Sequence, residues 1–284
     1  MAHFLSYINW FTVEDADEPA AGWLHAISNA GYDGVQLLEP LPVDLLTKSR
    51  RLSLGVCGSG RVNRAEDAWR LAQEAREHGL ECLTLHVGWG YEEEDAACRL
   101  IEAILDASAR TSVPMYVETH RATIFQDIWR TVSFIRRFPE LRFNADWSHW
   151  YTGLEFVYGD FDRKLDFVQP VIDRVDFMHG RISDPGCIQV DIGNFANALK
   201  LPYVQHFRTM WTRTFKAFLA RSAHDAQFRF ATELLPSKYY YARDCSRHVH
   251  DSRWSQALVL TSIAKDCFAS AITQHGESPA APQL

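Results

Sequence analysis

Four short strand-like runs in the sequence each close on a group able to hold a metal ion or move a proton. Val113 to His120 carries Glu118, Arg142 to Trp150 carries Asp146, Val175 to Arg181 carries His179, and Phe228 to Leu235 carries Glu233. Alternate residues of a strand face the same side. Tyr116, Glu118 and His120 therefore share a face, as do Asn144 and Asp146, Phe177, His179 and Arg181, and Ala231 and Glu233. If these faces point inward together, Glu118, Asp146, His179 and Glu233 converge. Three carboxylates and an imidazole repel one another unless a cation lies among them. The oxygen-rich set with one nitrogen suits Mn²⁺, Co²⁺ or Mg²⁺ better than a thiol-seeking metal. The competing reading of any single carboxylate at a strand end is a helix cap or a loop acceptor. Recurrence in four consecutive runs favours a site.

Other polar groups flank this set. His149 has the opposite parity to Asp146 and joins the site only where the chain bends after the strand. His86 shares a face with Thr84 and either contacts substrate or is a buried structural histidine. His120 and Arg181 either hold substrate oxygens or pair with the nearby carboxylates. Trp89 and Trp147 either stack on a sugar ring or pack at a rim.

The elements that must position these groups follow from period and breakers. Strand-like runs at His3 to Phe11, Gly34 to Glu39, Leu52 to Val56 and Cys82 to Val87 precede the four already named. Amphipathic stretches separate them, at about Pro19 to Asn29, Val43 to Ser49, Arg64 to His78, a stretch opened by the acidic cluster Glu92 to Asp95, Ile124 to Phe138, Phe161 to Arg174 and Tyr203 to His224. Trp254 to Ala271 reads as the last helix. Cys57-Gly-Ser-Gly60 reads as a flexible turn, and Ser183 to Pro202 as a loop too long to be a mere connector. Eight strands alternating with helices, without a linker between halves, predict one α/β domain, a (β/α)8 TIM barrel over residues 1–276 with a frayed tail at 277–284. The C-terminal ends of barrel strands are where active sites collect. An open doubly wound sheet would announce a Gly-rich phosphate turn with G-x-G-x-x-G spacing, which Gly55-Val-Cys-Gly58-Ser-Gly60 does not have.

Bulk composition narrows the classes of function. With 47% hydrophobic and 23% charged residues the 284-residue chain has material for a sizeable core. A net charge of −7 and the lack of a Lys/Arg stripe argue against nucleic acid as partner. Six cysteines without a C-x-x-C pair argue against thiolate zinc, and are expected as buried thiols. No run reaches the roughly 18 apolar residues of a membrane span, and Met1 to Tyr7 lacks the pattern of a signal peptide. No membrane association and a cytoplasmic location are expected.

At the quoted residues the sequence resembles the xylose-isomerase-like TIM-barrel superfamily, the sugar phosphate isomerases and epimerases, and in particular its ketose 3-epimerase and inosose dehydratase branches. The resemblance rests on Val117-Glu118, Asp146-Trp-Ser-His149, His179-Gly-Arg181 and Thr232-Glu233, in strand order over almost the whole chain. It implies that Glu118, Asp146, His179 and Glu233 bind one divalent ion, often manganese, and that Glu118 and Glu233 are also the acid/base pair. It implies too that His149 contacts substrate or metal. The sequence departs from the pattern at Gln36, where many relatives carry glutamate, at Arg181, where lysine or a small polar residue is common, and at Asp184-Pro-Gly186, which lacks a second glycine.

The function expected from this resemblance is a metal-dependent sugar isomerase or epimerase in carbohydrate metabolism. It would move a proton alpha to a carbonyl through a metal-stabilised enediolate, with His86, His120, His149, Arg181 and Trp89 as substrate contacts. The alternative is a lyase or dehydratase of keto-sugars, cyclitols or 3-oxo glycosides. An apurinic-site endonuclease would need a further metal set that the sequence does not display, and a non-catalytic subunit would not need intact ligands. A homo-oligomer is expected, with Tyr239-Tyr-Tyr241 at an interface or over the site.

Overall fold

Eight short strands alternate between a face covered by helices and a face turned to the barrel axis. They are β1 (His3–Asn9), β2 (Gly34–Leu38), β3 (Gly55–Val62), β4 (Leu83–Val87), β5 (Met115–Glu118), β6 (Phe143–Ala145), β7 (Val175–Gly180) and β8 (Gln227–Thr232). All neighbours pair in parallel, in sequence order, and β1 closes the ring on β8. Parallel neighbours need a crossover, and each connection supplies helix that packs back on the sheet. The result is the predicted (β/α)8 barrel. The computed structural model describes residues 2–13, 20–236, 239 and 253–276.

Outward side chains such as Val35, Leu37, Val56, Leu85, Val117 and Phe143 join the helices in one buried layer. The helix Ala65–Glu77 shows how: Ala68, Leu71, Ala72 and Ala75, at the spacing of one helical stripe, are its buried residues. The final helix, Arg253–Gly276, lies beside Pro202–Arg221 and seals β1, with Phe268 against Phe4 and Phe215 at ring separations of 5.4 and 5.3 Å. Inward side chains are fewer. Tyr7, Cys57, Cys82, Phe177 and Ala231 form a separate apolar plug in the lower barrel, and above it the layer turns polar.

Several expected boundaries shift. The first strand stops at Asn9 and the chain passes into a 3-10 turn, Trp10–Val13. The first helix runs Ala20–Asn29, with Pro19 outside the described residues. The largest change is in β3, which continues through Cys57-Gly-Ser-Gly60 instead of turning there. A side chain at Gly58 would sit 2.7 Å from a methyl of Leu83, and one at Gly60 2.8 Å from a methyl of Leu71. These glycines allow close packing of a strand; they do not mark a loop. The loop after β7 contains only the short helix Phe195–Ala198. Cys57, Cys82, Cys98 and Cys267 are buried free thiols and Cys187 is half-buried, while Cys245, Tyr240, Tyr241 and the tail 277–284 lie outside the described residues. No helix among the described residues is long and apolar enough to cross a membrane.

Candidate active site

The parity argument brings its four residues together. Glu118 ends β5, Asp146 follows β6, His179 is the fifth residue of β7 and Glu233 follows β8. One donor atom from each lies within 4.8 Å of the others, and all four side chains are buried. His179 Nδ1 stands 3.4 Å from Glu118 Oε2 and 3.2 Å from Glu233 Oε2.

A polar layer beneath orients the imidazole. His179 Nε2 is 2.9 Å from Gln36 Oε1, which also accepts from Asn9 Nδ2 at 2.9 Å, while Gln36 Nε2 donates to Thr84 Oγ1 at 2.7 Å. Neutral His179 must therefore carry its proton on Nε2, leaving the Nδ1 lone pair toward the carboxylates. This is how a ligand imidazole is fixed by its other nitrogen. Asn9 Nδ2 also reaches Glu233 Oε1 at 3.1 Å, and Asn144 Nδ2 donates to Glu118 Oε2 at 3.1 Å.

Charge at the cluster is unbalanced. Burial opposes ionisation of Glu118, but His179 and His86 beside it hold its carboxyl well below the usual range. Burial is likewise outweighed at Glu233, where His179 and Arg181 keep the carboxyl low. Burial pulls His179 down, yet Glu233 and Glu118 together push it up to about 10. Arg181 pairs with Asp146 Oδ2 and, at 3.0 Å, with Glu233 Oε2, and its Nε donates to Ser148 Oγ at 3.2 Å. With His179 neutral, as a ligand imidazole must be, three carboxylates and one guanidinium give −3 + 1 = −2, the charge a divalent cation cancels.

Two further observations fit such an ion. Glu118 Oε1 is buried without a hydrogen-bond partner. The 3.2 and 3.4 Å N···O separations around His179 exceed the roughly 2.7–2.9 Å of charge-assisted hydrogen bonds. They match the edge of a coordination shell whose donors sit about 2.0–2.2 Å from its centre. Asp146 serves two purposes: it also caps the helix Trp147–Gly153, accepting from Ser148 N at 3.0 Å.

That helix supplies the bend His149 needs. Its Nε2 lies 3.1 Å from Arg181 Nη2, 3.5 Å from Asp146 Oδ2 and 3.9 Å from Glu118 Oε1, while Nδ1 is buried without a partner. His120 stacks between His149 and His86, with ring centroids 3.8 and 4.1 Å away. His86 Nε2 approaches Glu118 Oε2 at 3.4 Å. His86, Glu118 and His120 thus form a second possible ligand group, which the sequence did not display. Arg61 Nη2, 3.3 Å from His86 Nδ1, donates there, so neutral His86 keeps its proton on Nε2 facing Glu118, as a donor rather than a ligand.

Arg61 and Arg121 are additions that the sequence did not single out. Arg61 lies at the inward parity of Cys57 and Ser59, a signal visible only once β3 extends through its glycines. The mouth cavity, about 370 Å³, is lined by Arg61, Arg121, Arg181, His86, His120, His149 and Glu233 among others. A larger open groove, about 820 Å³, lies outside the barrel between the last two long helices and contains none of these groups. Trp89 does not line the mouth cavity: it is 48% exposed with the Arg61 guanidinium 4.3 Å above its ring. Trp147 cannot stack on a ligand, because the helix that starts there turns it into the outer layer, buried against Trp150.

No family model matches the sequence, and no curated protein matches it. Among solved structures the chain is similar to D-psicose 3-epimerase from Clostridium cellulolyticum H10, at 10% identity and a TM-score of 0.60, over 93% of this chain and 99% of that one. It is also similar to the probable 3-DHS dehydratase AsbF of Bacillus anthracis, at 14% identity and 0.56, over 92% and 99%. A third is a xylose isomerase-like TIM barrel protein from Mycobacterium smegmatis in complex with magnesium, at 14% and 0.58, over 95% and 98%. What the chain shares with them over nearly its full length is the fold, a (β/α)8 barrel.

Proposed function

We propose that the chain is a divalent-metal-dependent enzyme that moves a proton at the carbon beside a carbonyl of a small sugar or sugar-derived substrate, as an isomerase or epimerase. The observation that carries this reading is the convergence of Glu118, Asp146, His179 and Glu233 on one buried point with a charge of −2 after Arg181 is counted. These four residues would hold the ion, manganese being the first candidate for a donor set of three carboxylates and one imidazole. Bound there, the ion would stabilise the negative charge that develops on substrate oxygens as the proton leaves.

The chain's own groups perform the rest. Glu118 and Glu233 are both held ionised and so stand ready to accept a proton. Glu233 faces the cavity and is steadied by Asn9 at one oxygen and Arg181 at the other. Glu118 keeps Oε1 unpartnered. Removal by one carboxylate and return by the other inverts the carbon, and return to a neighbouring carbon isomerises the sugar. His149 and His120, on the cavity wall, bind and orient substrate hydroxyls. The similarity to epimerases and to a dehydratase of the same fold supports this chemistry.

The test is metal content with proton exchange. The purified protein is expected to hold about one equivalent of Mn, Co or Mg, lost in Asp146→Asn and His179→Ala. It should also wash solvent deuterium into recovered keto-sugar. A protein that retains no metal after reconstitution would overturn the reading. A lyase is the second reading, favoured by the dehydratase likeness, since a leaving group beta to the abstracted proton is expelled. An unsaturated or cleaved product selects it. About three zinc ions would instead favour the endonuclease.

A further inference from the structure

One guanidinium is shared between two of the four converging carboxylate and imidazole groups. Arg181 stands one residue past β7, between the strand ends that carry Asp146 and Glu233, and two residues beyond His179. Its Nη2 pairs with Asp146 Oδ2 and lies 3.0 Å from Glu233 Oε2 and 3.1 Å from His149 Nε2. Its Nε donates to Ser148 Oγ at 3.2 Å, and that hydroxyl donates in turn to Asp146 Oδ1. The side chain is 2% exposed. The sequence leaves open whether Arg181 holds substrate oxygens or pairs with carboxylates, and the structure gives these donors to the carboxylates.

A fixed positive charge in this place acts on any ion the cluster holds. An arginine does not lose its proton in a protein, whereas the imidazole beside it must be neutral to bind an ion. Three carboxylates alone present −3, and Arg181 brings this to −2. A hard trivalent ion is drawn to the same carboxylate oxygens as a divalent one, so the donor set by itself does not exclude it. Repulsion by the guanidinium does discriminate, because it grows in proportion to the charge of the ion. Burial keeps water from screening it. The planar fork also reaches Asp146, Glu233 and Ser148 at once, which a lysine ammonium on its single nitrogen would not do with the same geometry.

We infer that Arg181 fixes the charge of the ion this site accepts, restricting it to divalent ions while holding Asp146 and Glu233 in place. This rests on the metal-dependent reading above and deepens it, from which donors bind the ion to which residue selects its charge. Arg181 is a positioning residue in this role, acting through the two carboxylates. Ferric iron is the trivalent competitor of biological relevance.

Competition between Mn²⁺ and Tb³⁺ for the full chain, read by terbium luminescence, tests this without any substrate. Arg181→Met removes the charge and is expected to raise the Tb³⁺/Mn²⁺ affinity ratio at least about tenfold. Arg181→Lys keeps the charge and should leave the ratio near that of the parent, even where both affinities fall. An arginine with a merely structural role would weaken both ions together and leave the ratio unmoved in Arg181→Met. Glu233→Gln takes away one negative charge with Arg181 in place and should lower the ratio, which keeps the inference open to refutation even where Arg181→Met does not fold. A ratio unchanged in Arg181→Met, one that rises as far in Arg181→Lys, or one that rises in Glu233→Gln overturns the inference. Manganese binding to the parent is measured on the same preparation. Manganese bound with an unmoved ratio removes only this role of Arg181, whereas no bound ion removes the metal-dependent reading as well.

Discussion

The barrel interior contains two charged groups, one at each end, and only one of them is complete. At the lower end Glu81 accepts from Tyr7 Oη at 2.6 Å and from Arg229 Nε at 2.9 Å. One carboxylate meets one guanidinium and one phenol, beneath the plug of Cys57, Cys82 and Phe177. At the upper end three carboxylates meet one guanidinium, and Glu118 Oε1 and His149 Nδ1 are left without partners. Glu81 and Arg229 are a balanced, half-buried pair; a buried excess of one sign destabilises a fold unless a ligand completes the set. The lower end of such a barrel serves stability and the upper end chemistry.

Substitutions at the two ends should separate these roles. At the upper end, Glu118→Gln and Glu233→Gln are each expected to lower turnover by roughly 10²–10⁴-fold, the usual contribution of a positioned acid or base. Full activity in either variant would erase the distinction. One layer deeper, Gln36→Leu removes the acceptor that fixes the His179 tautomer, and metal affinity should fall about 10–100-fold. Gln36→Glu keeps an oxygen for Nε2 and should recover most of it; a manganese titration compares the two. At the lower end, Glu81→Ala leaves the Tyr7 hydroxyl without its acceptor, a loss of about 1–3 kcal/mol. Thermal unfolding should register it as a drop of several degrees while turnover changes less than about threefold.

The smallest effect is one of pH. In the metal-free protein the carboxylates raise the folded pKa of His179 to about 10. Stability from this protonation is full below the unfolded value of about 6.5 and is lost as pH rises through about 10. Urea midpoints of the metal-free protein should therefore drift downward across that window, and His179→Asn should flatten the drift. A bound cation needs the neutral ring, so metal affinity should instead rise with pH.

Much of the upper end is legible in the sequence because strand parity is a local rule. Glu118, Asp146, His179 and Glu233 each follow from a few residues on either side, and their convergence follows from the barrel. What parity does not reach is long-range. Gln36 meets His179 across 143 positions, and nothing beside Gln36 announces that contact. Trp147 reads as a rim aromatic, but Asp146 starts a helix and so reverses where the next side chain points. Arg61 is hidden by Gly58 and Gly60, which resemble a turn until their helix and strand neighbours are in place.

Those two glycines also determine how the pocket can change. A methyl at Gly60 must displace Leu71 of the covering helix or move the strand inward, and the next residue along that strand is Arg61. The width of the mouth is therefore adjustable from behind, through a residue no substrate touches. A variant with altered ligand preference is as readily sought on the outer face of β3 as among the side chains that line the cavity.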